Sequence, residues 1–134
     1  MSYFNPKLAA VVKNDPRYAY EAYDFVFHAI QHTQRMMGRE MPRVDEAIQK
    51  RHHVSGPELL EGIRKLALAE FGMMAKTVFD MWGIRATDDW GNIVFNLIEA
   101  ELMRRTPEDS LGDFHAVYDF ASALDYRIPA DDAV

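Results

Sequence analysis

The chain has 134 residues, of which 49% are hydrophobic, 12% aromatic and 27% charged, and this balance predicts one globular domain with its own core. The absence of cysteine excludes disulfide bonds, thiolate metal sites and cysteine nucleophiles, and the aromatic content excludes an intrinsically disordered chain. The net charge of −6 disfavours nucleic-acid binding, because that affinity comes largely from lysine and arginine against phosphate.

No segment has the roughly 18 uninterrupted apolar residues that suggest a membrane-spanning helix. The first residues lack the basic stretch and the apolar run of a secretory signal. We therefore expect a soluble, cytoplasmic protein that does not engage a membrane.

The N-terminal part predicts a short helix followed by a long one. Asn5 is a capping side chain with proline directly after it, which predicts a helix over residues 6–12. A turn at residues 14–16 separates it from a long amphipathic helix over residues 17–37, which Gly38 closes.

The middle of the chain predicts a loop and then a helix with a marked start. Residues 40–53 contain a proline and a charge-rich run but few large apolar residues, so we expect a loop. Ser55 and Glu58 have the spacing of a capping box, which predicts a helix that ends before Gly72.

The next block superficially resembles a helix-turn-helix. Residues 74–82 carry apolar side chains at helical spacing, and Gly83 ends that run. Residues 84–86 form a short link, and Thr87 is predicted to cap a helix that runs through Leu102.

Residues 106–110 break the pattern again, and the tail after them fits two structures. Apolar spacing fits a helix, whereas alternation near residues 113–119 fits a short strand. We favour a helix from Asp119 onward and keep the strand as the alternative. Together the elements predict a mainly α, compact single-domain bundle of five to six helices over residues 1–134.

Three residues of the long helix have the spacing of a metal site. Asp24, His28 and His32 are spaced by four residues and share one helix face, which suits a divalent metal. They also lie in the polar stripe of their helix, where solvated side chains are expected, so we predict no metal there and no cofactor. The other histidines carry no recognisable pattern: His52, His53 and His115.

Two glutamates, Glu70 and Glu101, fall within the apolar arcs of their predicted helices. A buried carboxylate must be paired or protonated, so two facing glutamates would be candidates for acid–base catalysis. Both also lie in the last turns of their helices, where Arg104 and Arg105 are near in sequence. We expect at least one glutamate to pair with a cation at the edge of the core, and we assign no catalytic residue.

Two acidic residues argue against DNA binding, and the aromatic residues and methionines are expected to pack in the core. Asp88 and Asp89 stand where a helix-turn-helix meets DNA, and their charge would face phosphate with the wrong sign. Aromatic residues in this block are expected in the core, and packing is the default for the eight methionines. The aromatic residues are Phe79, Trp82, Trp90 and Phe95.

Unusual strings are spread over most of the chain: Ala22-Tyr23 with Phe25, Glu58-Leu59-Leu60 with Gly62-Ile63-Arg64, Phe71-Gly72, Trp82-Gly83-Ile84, Thr87-Asp88-Asp89-Trp90-Gly91, Ile93-Val94-Phe95, Asp113-Phe114 and Tyr118-Asp119-Phe120. In these strings the chain resembles an uncharacterised bacterial family described as restricted to Verrucomicrobia and Planctomycetes. The resemblance implies no activity, ligand or catalytic residue.

Our leading expectation is a non-enzymatic protein-interaction module that binds another protein or a second copy of itself. The alternative is an enzyme or ligand-binding protein that uses Glu70 and Glu101, or a weak site of histidine and aspartate. A nucleic-acid regulator of the helix-turn-helix kind comes third.

Overall fold

The computed structural model describes residues 5–38, 54–104 and 109–126, and within these ranges the chain is helical, with no strand. The α-helices are α1 (Pro6–Asn14), α2 (Tyr20–Met36), α3 (Gly56–Phe71), α4 (Ala75–Met81), α5 (Thr87–Glu99) and α6 (Phe120–Ala123). Short 3-10 turns precede α4 (Gly72–Met74) and follow α5 (Leu111–Phe114). The predicted mainly α bundle of five to six helices is confirmed. The predicted loop at 40–53, with His52 and His53, lies outside the described residues.

The predicted starts of α1 and α3 are confirmed. The Asn5 carboxamide accepts from the Lys7 amide at 2.9 Å, and α1 continues two residues beyond the predicted end. The Ser55 amide donates to Glu58 Oε1 at 2.9 Å, and the Glu58 amide donates to Ser55 Oγ at 3.3 Å, which is a complete capping box.

Helix α2 begins three residues later than predicted. Residues 15–19 form a turn instead, in which the Arg17 guanidinium donates to both Asp15 carboxylate oxygens at 2.8 Å. The Ala19 amide donates to the Trp82 carbonyl at 3.1 Å, so this turn docks on the end of α4. A tertiary contact therefore sets the start of α2.

Helices α2 and α3 form the most extensively packed helix pair. They meet at Gly62 and Thr33, where a Cβ on Gly62 would overlap the threonine hydroxyl. That buried hydroxyl donates to the Ala29 carbonyl at 2.7 Å, so it is satisfied within its own helix. The small residue on α3 is what allows the close approach.

The link between α4 and α5 ends at a different cap from the one predicted. Thr87 is the first helical residue and not the cap, because its hydroxyl donates to the Phe114 carbonyl at 2.7 Å. The Asp89 carboxylate instead accepts the amides of Arg85 and Ala86, at 2.8 and 3.1 Å. These bonds satisfy backbone donors ahead of the first turn of α5.

Helix α5 ends at Glu99, so the prediction that it reaches Leu102 is wrong. Glu101 has a φ of +62°, and the Leu102 amide donates back to the Leu97 carbonyl at 2.9 Å. The Glu101 amide donates to the Ile98 carbonyl at 3.0 Å. This pair of bonds is a Schellman motif, which ends a helix with a residue in the left-handed region.

The strand alternative in the tail is also wrong. After Phe114 the chain turns at residues 115 and 116, where Ala116 has a φ of +46°. The amides here bond to side chains of α5: Ala116 N donates to Asp88 and Val117 N donates to Thr87 Oγ1, both at 3.1 Å. No neighbouring strand pairs with this segment among the described residues. The helix expected from Asp119 onward is confirmed as α6, which begins at Phe120.

An aromatic cluster fills the centre of the bundle. Phe79 and Trp90 are fully buried and meet edge to face, with ring centroids 5.1 Å apart. Trp82 and Phe95 are half-buried, and Phe95 contributes to the cavity described below. The prediction that these residues pack is therefore confirmed for Phe79 and Trp90, and in part for the other two.

Candidate functional site

The two glutamates selected from the sequence are both exposed. Glu70 lies in the last turn of α3, beyond Ala67, which is the last buried residue of that helix. Glu101 follows the end of α5, so the helical wheel that placed it in an apolar arc does not apply there. Glu101 lines a cavity that Glu70 does not line, so the facing carboxylates of the enzyme alternative are not found around this cavity.

The candidate metal ligands lie on α2 as predicted. His28 Nδ1 is 4.0 Å from Asp24 Oδ2, and His32 is half-buried one turn further along. Within the described ranges, no three or more histidine, aspartate or glutamate side chains are grouped so as to hold a metal ion. The expectation that no metal binds here stays a prediction.

His115 has a partner that sequence spacing did not reveal. Its Nδ1 lies 2.7 Å from Asp88 Oδ2, although the two residues are 27 positions apart. The hydrogen bond from His115, together with the Ala116 amide, holds the pKa of Asp88 below its usual value. No local motif marks this contact, because the chain reverses between the two residues.

The first turn of α5 is covered by residues 114–117. Thr87 and Asp88 bond to this segment, while Asp89 accepts a hydrogen bond from Tyr18 at 2.7 Å. In a helix-turn-helix that same turn would meet base edges. Here its polar side chains have partners within the chain.

A polar face of α5 fastens the α1–α2 turn. Asn92 Nδ2 donates to the Tyr18 hydroxyl at 2.9 Å, and Asn96 Nδ2 donates to Asp15 at 2.8 Å and to the Tyr23 hydroxyl at 3.0 Å. Burial raises the pKa of Tyr18 to about 12. Because every one of these groups is bonded, the network serves the fold.

A cavity of about 460 Å³ lies where α2, the start of α3 and the end of α5 meet residues 101–104 and 109–114. Its floor is apolar, and its mouth carries charged side chains. The floor includes Ile30, Leu59, Val94, Phe95, Ile98 and Phe114. The charged residues are Glu101, Arg104, Asp109 and Asp113.

Phe114 anchors one wall of this cavity. The residue is 3% exposed, and its side chain packs against two glycines. A Cβ on Gly56 would lie 3.0 Å from the Phe114 ring, and one on Gly91 would lie 2.7 Å from its Cβ. Both positions therefore need glycine because of a close contact, a role that neither glycine revealed in the sequence.

A second feature is an exposed group of methionines on α4 and on the 3-10 turn that precedes it. Met73, Met74 and Met81 are 76%, 56% and 77% exposed, and we call this group the methionine surface. Of the six methionines described, five are exposed, so the expectation of core packing is wrong for these five, whereas Met103 packs against the core. Helix α4 buries only Ala75 and Phe79, which places these methionines outside the core.

Comparison of the chain with protein-family models, curated proteins and solved structures finds no match. The resemblance to the bacterial family stays a prediction from the sequence. Within the described part of the chain, no helix combines the length and apolar character needed to cross a bilayer.

Proposed function

We propose that this chain is a protein-interaction module and that its contact surface is the methionine surface. The observation that supports this is the group of three large apolar side chains, each more than half exposed, on α4 and on the 3-10 turn that precedes it. Single exposed apolar residues are ordinary, but a group of them marks an interaction site. Methionine is unbranched and polarizable, so it adapts to a facing surface.

The neighbouring charges favour a second copy of the chain as the partner. Lys76 and Asp80 lie one turn apart on α4, with Nζ and Oδ2 3.3 Å apart, and about half of each side chain is exposed. In a two-fold contact between antiparallel copies of α4, Lys76 of each copy faces Asp80 of the other. Such an interface must be self-complementary, and this flank of α4 meets that requirement.

The expected association is weak. Helix α4 has seven residues, and one such element covers much less than the roughly 800 Å² per partner of a standard interface. We therefore expect a dimer with a dissociation constant in the micromolar range or weaker, which forms and separates with concentration.

Sedimentation velocity over a concentration series tests this proposal. The wild-type chain should show a rising weight-average mass, and the double variant Met74→Lys with Met81→Lys should stay monomeric. The matched control places lysines at Met36 and Met37, which are exposed at the end of α2. Equal association of both variants and the wild type would contradict the proposal, and thermal unfolding would verify that each variant is folded.

A further inference from the structure

We infer that the cavity between α2, α3 and α5 binds an amphipathic cation, with an apolar body inside and an amine at the mouth. This site is separate from the methionine surface and does not depend on self-association. No residue of the methionine surface lines it.

The apolar body fits the size and floor of the cavity. A volume of about 460 Å³ falls in the range of small-molecule pockets, which are mostly apolar with a few polar groups that orient the ligand. Ile30 comes from α2, Leu59 from α3 and Ile98 from α5, so three helices hold the floor in place.

The charge of the mouth selects the head group. Among the described lining residues, Glu101, Asp109 and Asp113 carry three negative charges and Arg104 carries one positive charge. A cleft rimmed mainly by one sign of charge attracts ligands of the opposite sign. An ammonium group is therefore favoured at the mouth, and a carboxylate or phosphate is disfavoured.

The backbone at the end of α5 fixes the place of Glu101 at the mouth. The backbone of Glu101 adopts the left-handed conformation, which glycine adopts with less strain than a residue with a side chain. Gly83 occupies the matching position at the end of α4, with a φ of +86°. The motif that ends α5 therefore places the Glu101 carboxylate among the residues that line the cavity.

Calorimetric titration of the full chain tests the inference with three probes of equal chain length: decylamine and decanoate, each below its micelle concentration, and decan-1-ol below its solubility limit. We expect saturable binding of one decylamine, about five- to tenfold tighter than decan-1-ol, with decanoate weakest. Glu101→Gln should remove most of that preference, and Ile98→Trp should block binding of decylamine and decan-1-ol alike by filling the floor.

Glu70→Gln is the matched control, because Glu70 is an exposed carboxylate outside the cavity. It should leave the preference for the amine unchanged. Equal affinity for decylamine and decanoate, or no saturable binding, would overturn the inference. So would an equal loss in Glu70→Gln and Glu101→Gln, because the preference would then reflect overall charge. Circular dichroism of each variant separates lost binding from lost folding, and Glu101→Gln keeps the test valid if Ile98→Trp does not fold.

Discussion

Gly83 and Glu101 occupy the same position in two copies of one helix-ending motif. At the end of α4 the Ile84 amide donates to the Phe79 carbonyl at 2.8 Å, as the Leu102 amide does to Leu97 at the end of α5. Both residues between have a positive φ. Glycine suits this conformation at position 83, whereas the glutamate at position 101 adopts it with strain.

Replacing Glu101 by glycine should therefore stabilise the fold. Relief of the left-handed strain favours the native state, and the greater freedom of glycine in the unfolded chain offsets part of the gain. We expect the free energy of unfolding to rise by about 0.5–1 kcal/mol. Urea denaturation measures this, with Glu99→Gly as a control that should destabilise the last turn of α5. An unchanged or lower midpoint for Glu101→Gly would show that the residue is not strained.

Gly83→Ala should destabilise by more than a positive φ alone explains. A Cβ at this position would overlap the Arg17 carbonyl oxygen, which belongs to the docked α1–α2 turn. We expect a loss of about 2 kcal/mol or more, since strain and a backbone clash combine. Gly38→Ala is the matched control, because Gly38 has a φ of +65° with open space around it. Equal losses for the two variants would contradict a role for the contact with Arg17.

The capping box gives a local prediction. Ser55→Ala removes the acceptor of the Glu58 amide at the start of α3 and should cost about 1 kcal/mol. Ser122→Ala is a control, because Ser122 lies in the short α6 and caps no long helix. Unfolding midpoints that do not differ between Ser55→Ala and the wild type would rule out the cap as a stabilising feature.

Asp15 should make stability depend on pH. The Arg17 guanidinium beside Asp15 holds the pKa of that carboxyl well below its usual range. A lowered folded pKa means that the contribution to stability is complete above the unfolded pKa, near 3.9, and is lost as pH falls below it. Asp15→Asn should therefore lower the free energy of unfolding by about 1–2 kcal/mol at pH 7.

The same variant should approach the wild type in acid. Between about pH 4 and pH 2 the Asp15 carboxylate of the unfolded chain takes up a proton while that of the folded protein stays ionised, so the unfolded state is favoured and the difference between the two proteins should shrink. Chemical denaturation at several pH values measures this. A difference that is constant with pH, or that grows in acid, would show that the ion pair with Arg17 is not its source.

The sequence predicted those parts of the fold whose signals are local. Asn5 and Ser55 cap helices through amides two and three residues away, so spacing alone reveals them. The end of α5 was missed because the Schellman motif at Glu101 uses backbone bonds and no glycine. The cap at Thr87 was assigned wrongly because its hydroxyl bonds to Phe114, 27 residues away.

The candidate sites were harder to predict than the helices. The cavity is assembled from residues of α2, α3, α5 and the tail, and no spacing rule connects such distant segments. Periodicity predicted a helix near Met74 and Met81 correctly, but it does not say which face meets the core. The structure shows that the face with Ala75 and Phe79 meets the core, which leaves the methionines exposed.

The central proposal, self-association through α4, is tested most directly by mixing two charge variants. Lys76→Asp leaves two negative charges on the flank of α4, and Asp80→Lys leaves two positive charges, so each variant alone should repel its own copy. An antiparallel contact pairs position 76 of one chain with position 80 of the other, so an equimolar mixture should associate. Sedimentation velocity of the two variants and of the mixture at equal total concentration measures this. We predict monomers for each variant alone and dimers for the mixture; a mixture no more associated than its components would contradict the proposal.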